Sequence, residues 1–503
     1  MELNDKRKKR LAYNTLSSIC LQLVNVISSF IVPRLILSAF GSEINGLVNS
    51  ITQFLGVITF LDLGVGAVVK SSLYAPLSNN DDETVSKIYL SASRFFKKIA
   101  IIMLGYSIIL VAVYPLFFNK FDYIYTATLI IAIFISTFAQ YYFGIVNSLL
   151  LTAHQRGYIQ YFAQIATIVL NTAACAVLIY FKASIQIVKL TTSIIFFIRP
   201  VFLSVYVKKN YKINKDVQYT EEPIKQKWNG LAQHIADVVL NNTDNIVLTF
   251  FSTLANVSIY SVYNLVILGI KTTILYISNG FTSLLGEMLA KDEKIRLLSF
   301  FSYVEWLFHT ISVIIFGCCG VLIVSFVQVY TSGITDANYK QPLFAVLISL
   351  AYGFYGLRLP YNILILAAGH YKQTQRNYII AMVLNIVISI ATVKFWGLIG
   401  VAIGTLVAMA YQTAWMAWYD SKNIINWPFK KFLKQCAVDF TTVIIAVIAT
   451  FKIPLLTITY KAWFVQAIEV FVCWSAVVVI MNLIFYRDKL TFVVGRIGNK
   501  IKR

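Results

Sequence analysis

The sequence predicts an all-α polytopic membrane protein with about fourteen transmembrane helices, set out as two parallel six-helix repeats followed by two C-terminal helices. Three observations carry this. Composition is the first: 58% of the 503 residues are hydrophobic and only 13% are charged. Soluble domains are nearer half apolar and about a quarter charged. The second is length, because many apolar stretches reach the ~20 residues that a helix needs to cross a hydrocarbon layer of about 30 Å. The third is that the positive charge lies in the short connectors between those stretches.

The net charge of +21 would suit a nucleic-acid binder, but the basic residues form no separate domain and no nucleic-acid motif is present. Nucleic acid is therefore not an expected partner. Lys6-Arg7-Lys8-Lys9-Arg10 precedes an apolar stretch to about Leu37, too long for a signal-peptide core, so it reads as an uncleaved first helix with a cytoplasmic basic end. The cysteines at 20, 175, 318, 319, 436 and 473 have neither metal-ligand nor redox spacing, and no metal or cofactor is expected.

The apolar segments run in order near 11–37, 44–66, 96–118, 124–151, 158–181 and 184–207. A polar connector, 208–227, separates them from 228–251, 256–289, 299–330, 342–367, 376–395 and 397–419. Two more, 432–452 and 462–486, precede a basic tail. The expected organisation is an N-terminal lobe (1–207), the connector (208–227), a C-terminal lobe (228–420), and the last two helices with the tail (421–503). With both termini placed in the cytoplasm, the inner segments hold 32 Lys and Arg and the outer segments seven. That bias is what the positive-inside rule requires, and a helix missed in the middle would destroy it.

The two sets of six look related. Leu37, Phe40, Asn45 and Ser50 match Leu248, Phe251, Asn256 and Ser261 at an offset of 211. Val169-Leu170-Asn171, Phe181 and Thr191 match Val383-Leu384-Asn385, Phe395 and Thr405 at 214. An even number of helices per repeat makes the repeats parallel, an arrangement that places a substrate cavity between the halves.

Helices lining a wet cavity should carry polar stripes at helical spacing. Asn14, Ser18, Gln22, Asn25 and Ser29 form one in the first segment; Asn45, Asn49, Gln53 and Thr59 form one in the second. Gln233, Asp237, Asn241 and Asp244 stripe the seventh segment, and Asn256, Tyr260, Asn264, Lys271 and Ser278 the eighth. The competing account is hydrogen bonding between packed helices.

Charges deep in a bilayer cost about 2.5–3.5 kcal/mol each on insertion scales and need a partner or water. Arg199, Lys271 and Arg358 lie far inside their segments, while Arg34 and Lys189 are nearer the outer face. Asp237 and Asp244 are a natural source of counter-charge, so each basic residue reads equally as half of an ion pair or as a ligand contact. The excess of cations points to an anionic substrate. Catalysis is not expected: the four histidines are scattered, and there is no phosphate loop or nucleophile elbow.

Asn14, Gln22 and Pro33-Arg34 lead into Phe40-Gly41-Ser42-Glu43-Ile44-Asn45-Gly46-Leu47 and Leu61-Asp62-Leu63-Gly64. Together with Asn241-Asn242-Thr243-Asp244-Asn245-Ile246-Val247 and Val257-Ser258-Ile259-Tyr260-Ser261, this resembles the polysaccharide-transport branch of the multidrug/oligosaccharidyl-lipid/polysaccharide exporter superfamily. That branch includes bacterial flippases for O-antigen and capsule repeat units, with relatives that flip the peptidoglycan precursor lipid. The resemblance implies an alternating-access flippase in the bacterial plasma (inner) membrane, multi-pass with both termini cytoplasmic. Its substrate would be an undecaprenyl-diphosphate-linked oligosaccharide, taken from the inner to the outer leaflet for cell-surface polysaccharide synthesis. Membrane lipids, a glycan polymerase and glycosyltransferases are the implied partners. The last two helices would form a groove for the lipid tail. The diphosphate role falls to Arg34, Lys271, Arg358 and Arg199, with Asn14, Gln22, Asn25, Asn45, Asn49, Gln53, Gln233, Asp237, Asn241, Asp244 and Asn264 lining the cavity.

Two other readings remain. A cation-coupled multidrug antiporter of the same superfamily would use Asp62, Asp237 and Asp244. A membrane glycan polymerase or ligase would need a larger outer loop than 331–341.

Overall fold

The computed structural model describes residues 5–57, 65–117, 120–217, 231–425 and 427–491, and among them regular structure is entirely helical. Twelve of the helices are long and apolar enough to cross a membrane, so the chain is a multi-pass membrane protein. Two of the fourteen expected segments are missing from that twelve for local reasons. The first and part of the second share one helical element, α1 (Asp5–Val57), broken at Gly41, whose φ of 81° is open to glycine and strained for other residues. The seventh, α8 (Leu231–Phe251), is fully helical, but its amides and carboxylates lower its hydropathy.

The chain divides into two compact units, Met1–Val238 and Val239–Arg503. In the first, α2 (Val65–Asn79), α3 (Asp82–Phe117) and α4 (Tyr123–Ala139) follow α1. A π-helical turn at Gln140–Gly144 joins α4 to α5 (Ile145–Ala153), and α6 (Gly157–Tyr180) and α7 (Ile185–Asn210) complete the set. Polar caps start the helices where the chain leaves a loop: the Asp122 carboxylate accepts from the Ile124 amide at 3.0 Å, and Ser184 caps α7. Here α6 packs on α1 and α7, and α4 on α7.

In the second unit α9 (Leu254–Ala290), α10 (Lys294–Tyr330), α11 (Pro342–Ala367), α12 (Tyr371–Trp396) and α13 (Leu398–Asn423) follow α8. There α12 packs on α13, and α11 on α9, α10 and α13. The turn that ends α5 recurs at the end of α11. The Arg156 amide donates to the Leu151 carbonyl at 2.8 Å, and the His370 amide to that of Ile365 at 3.1 Å, each just after a positive-φ residue, Gln155 or Gly369. The separation is the 214 residues at which the sequences match.

The last two helices, α14 (Phe429–Thr450) and α15 (Tyr460–Phe485), pack on α10. Lipid offers no hydrophobic drive for helix association, so close packing must supply it. Trp474 is fully buried against α10, lying so close to Gly317 that a β-carbon there would collide with the indole. Gly404 similarly lets α13 meet Ser389 of α12. Leu456, Phe464, Ile468, Phe471 and Ile484 stay exposed on the outer face of α15 or just before it, as lipid-facing residues do.

Candidate functional site

Tyr352, Tyr355 and Arg358 follow one another at three-residue steps on α11, a spacing that puts them on one helical face. The Arg358 guanidinium is 4% exposed and lies 5.0 Å from the centre of the Tyr355 ring. The half-buried Lys271 of α9 brings its ammonium to 5.0 Å from the same ring and 5.6 Å from that of Tyr352. Two of the residues singled out from sequence thus share one aromatic side chain. Cation–π contacts of this kind contribute about 0.5–2 kcal/mol, well short of hydrating a buried charge.

Arg358 has five N–H donors to satisfy. Nη1 reaches only the weakly accepting Met409 Sδ, at 3.8 Å, and the buried Nε meets no acceptor. No carboxylate among the described residues pairs with it. It is a buried cation lacking an anion.

Asp244 does not supply that anion. Its carboxylate, 3% exposed, accepts from Tyr260 Oη at 2.9 Å, Thr405 Oγ1 at 2.7 Å and Asn385 Nδ2 at 3.3 Å. All three donors are neutral, so the site holds a carboxylate inside a hydrogen-bonded cage contributed by α8, α9, α12 and α13. Asn264 is half-buried on α9, with an Oδ1 that meets no donor.

In the N-terminal unit, Arg34 and Arg199 are both half-buried, on α1 and α7, and Arg199 Nε meets no acceptor. Asn14 makes the kind of bond between helices that was the competing account of its stripe. Its Nδ2 donates to the Gln155 carbonyl at 2.9 Å and its Oδ1 accepts from the Tyr158 amide at 2.7 Å, tying α1 to the start of α6. Asn49 Nδ2 donates to the Asn45 carbonyl at 2.8 Å. Gln22, Asn25 and Gln53 are half-buried. Asp62 and the side chains of Gln233, Asp237 and Asn241 lie outside the described residues.

A groove of about 720 Å³ opens among α10, α11, α14 and α15. Phe316, Val321, Leu350, Val443, Val447 and Trp474 give it apolar walls. Asp439 is its charged residue, held by His309 Nδ1 at 2.5 Å. Volumes of this size suit small-molecule and lipid sites, which run from about 300 to 1,000 Å³.

The sequence matches no family profile and no curated protein. Solved structures do match. An inward-closed structure of the lipid II flippase MurJ aligns with a TM-score of 0.64 at 15% identity, over 95% of this chain and 99% of that one. An inward-facing multidrug resistance MATE family transporter of the MOP superfamily aligns at 0.60 and 15% identity, over 79% of this chain and 94% of that one. The eukaryotic MATE transporter AtDTX14 aligns at 0.57 and 11% identity, over 87% and 99%. The chain shares the fold of these three proteins. The proteins that share it here are transporters and a flippase.

Within that fold, the ring of Tyr355 and the sulfur of Met409 are site features that sequence reasoning missed. The three-residue spacing from Tyr352 to Arg358 was available as a signal. Met409 was not, because a methionine in an apolar helix reads as packing.

Proposed function

We propose that this transporter is a flippase for an undecaprenyl-diphosphate-linked oligosaccharide, carrying repeat units from the inner to the outer leaflet by alternating access. Arg358 carries the reading: a guanidinium 4% exposed, with no carboxylate partner among the described residues, is poised for an anion from outside the chain. Lys271, through the shared Tyr355 ring, puts a second cation beside it. Arg34 and Arg199 are the candidates of the N-terminal lobe. The groove beside α14 and α15 provides apolar walls for a polyprenyl chain, which a soluble substrate would not need. In this reading the protein sits in a bacterial plasma membrane with both termini cytoplasmic, and it performs no bond chemistry itself. Glycosyltransferases and a polymerase would act before and after it.

A cation-coupled antiporter is favoured by one observation, the Asp244 carboxylate held by neutral donors alone. Complementation separates the two. A strain lacking its repeat-unit flippase should regain surface polysaccharide with the wild-type gene and lose it again with Lys271→Ala or Arg358→Ala at unchanged protein level. Failure of the wild-type gene to restore polysaccharide, with a gain in drug resistance instead, would reject the flippase reading.

A further inference from the structure

A second charged cleft lies at one end of α10, α14 and α15, with a lining that includes neither Arg358 nor any residue of the apolar groove. It encloses about 590 Å³ between the first turns of α10, the Trp427–Lys431 stretch that starts α14, and the residues just past α15. Three cations line it: Lys431, Arg487 and Lys489. Asp488 is the one acid in the lining, and no ion pair joins these four among the described residues.

Two of the cations are placed by their neighbours. Lys489 Nζ donates to the Ser302 carbonyl at 2.8 Å, which fixes the ammonium against the wall of α10. Lys431 Nζ sits 3.8 Å from the centre of the Trp427 ring. Trp427 is itself locked, because Nε1 donates to both oxygens of the buried Glu305, at 3.1 and 3.0 Å. Tyr361 Oη also donates to Glu305, at 2.6 Å, so this carboxylate is satisfied by neutral donors behind the indole. The cleft therefore keeps an excess of positive charge at its mouth.

From this geometry we propose that the cleft is a binding site for a phosphate group, presented by an anionic lipid of the adjoining leaflet. Phosphate matches the residues: two ammonium groups and one guanidinium line a space whose one lining acid is Asp488, with the Glu305 carboxylate behind the indole. A lipid source matches the surroundings. Leu483, Ile484 and Phe485 are exposed on the last turn of α15, directly below the cleft, and Trp427 and Tyr486 are the ring types that settle at headgroup level. Burial pushes the Lys489 ammonium down to about 8, reinforced by Lys431 and opposed by Glu305, so an anion in the cleft would relieve an existing penalty. The site is separate from the proposed transport site, and neither reading depends on the other.

The test is native mass spectrometry of the full-length protein in neutral detergent, with phosphatidylglycerol, phosphatidylcholine and inorganic phosphate titrated separately. Wild type should retain phosphatidylglycerol in preference to phosphatidylcholine. Lys431→Gln with Lys489→Gln should weaken that retention about thirtyfold, the effect of two cations at a membrane surface. The charge-matched pair Lys422→Gln with Lys430→Gln, neither of which lines the cleft, should leave it within about twofold. Inorganic phosphate that binds wild type and not the double variant, without lipid selectivity, would sustain the phosphate site and assign it a soluble ligand. Equal retention of both lipids with no phosphate binding, or equal losses in the two double variants, would overturn the proposal.

Discussion

Replacing Arg358 separates a ligand-binding cation from a structural one, because the two roles predict opposite signs for stability. Were the guanidinium half of a buried ion pair, removing it would strand an acid and cost about 3–5 kcal/mol. Among the described residues no such acid stands beside it; its contacts there are the Tyr355 ring and Met409 Sδ. Arg358→Met keeps most of the side-chain volume and removes a charge from a position 4% exposed to solvent. The variant should unfold at the wild-type temperature or above it. Transport should fall steeply, since two charge-assisted hydrogen bonds to a diphosphate are worth about 1.5–3 kcal/mol each. At about 1.4 kcal/mol per tenfold, that is roughly a hundredfold to ten-thousandfold in affinity. Arg358→Lys should recover part of this, keeping the charge and losing the planar fork. The assays are thermal unfolding of purified protein and polysaccharide export in the flippase-deficient strain. A methionine variant several degrees less stable, with export lost only in proportion to abundance, would refute the reasoning.

Three further predictions follow from contacts elsewhere in the fold. Thr405→Val removes the 2.7 Å donor to Asp244 and leaves a buried carboxylate under-satisfied, so it should destabilise by about 1–3 kcal/mol, read as a lower unfolding temperature. Gly317→Val puts side-chain atoms where the Trp474 indole lies; it should cost about 1–3 kcal/mol and loosen α15, read as faster proteolysis of the C-terminal segment. Because the Lys489 ammonium is held down to about 8 against an ordinary 10.5, the unfolded chain binds more protons between those values. Its contribution to stability therefore rises with pH across that window, while retention of phosphatidylglycerol falls as pH rises through about 8. Lys489→Arg should flatten the retention profile.

The helical architecture was legible from composition and charge placement because a bilayer leaves so few alternatives: each spanning stretch must satisfy its own backbone. The exceptions are informative. The seventh segment fails a hydropathy threshold because it carries Asp237, Asn241, Asn242 and Asp244, the residues that marked it as functional. Gly41 breaks the helix between the first two segments, and nothing in hydropathy marks that position. The recurrence of matching residues at a fixed offset reappears as a recurrence of backbone geometry at Gln155 and Gly369, which composition cannot display.

Helical spacing groups the polar residues into stripes, but a stripe does not say what its groups bond to. Asn14 shows the difference. Both ends of its amide are engaged by the backbone of one turn, at 2.9 and 2.7 Å, so it serves as a tie between helices. Arg358 is the reverse case, a strong multiple donor deep in the protein whose neighbours offer a ring face and a thioether. Sequence spacing treats the two alike, since each is a polar residue on an apolar helix. Only the accounting of donors and acceptors separates them, because an unmet hydrogen bond in a membrane interior costs far more than it does in water. By that criterion Asp244 also leaves the ranks of simple counter-charges. Its three neutral donors stabilise it without a cation, and Arg358 has no carboxylate partner among the described residues.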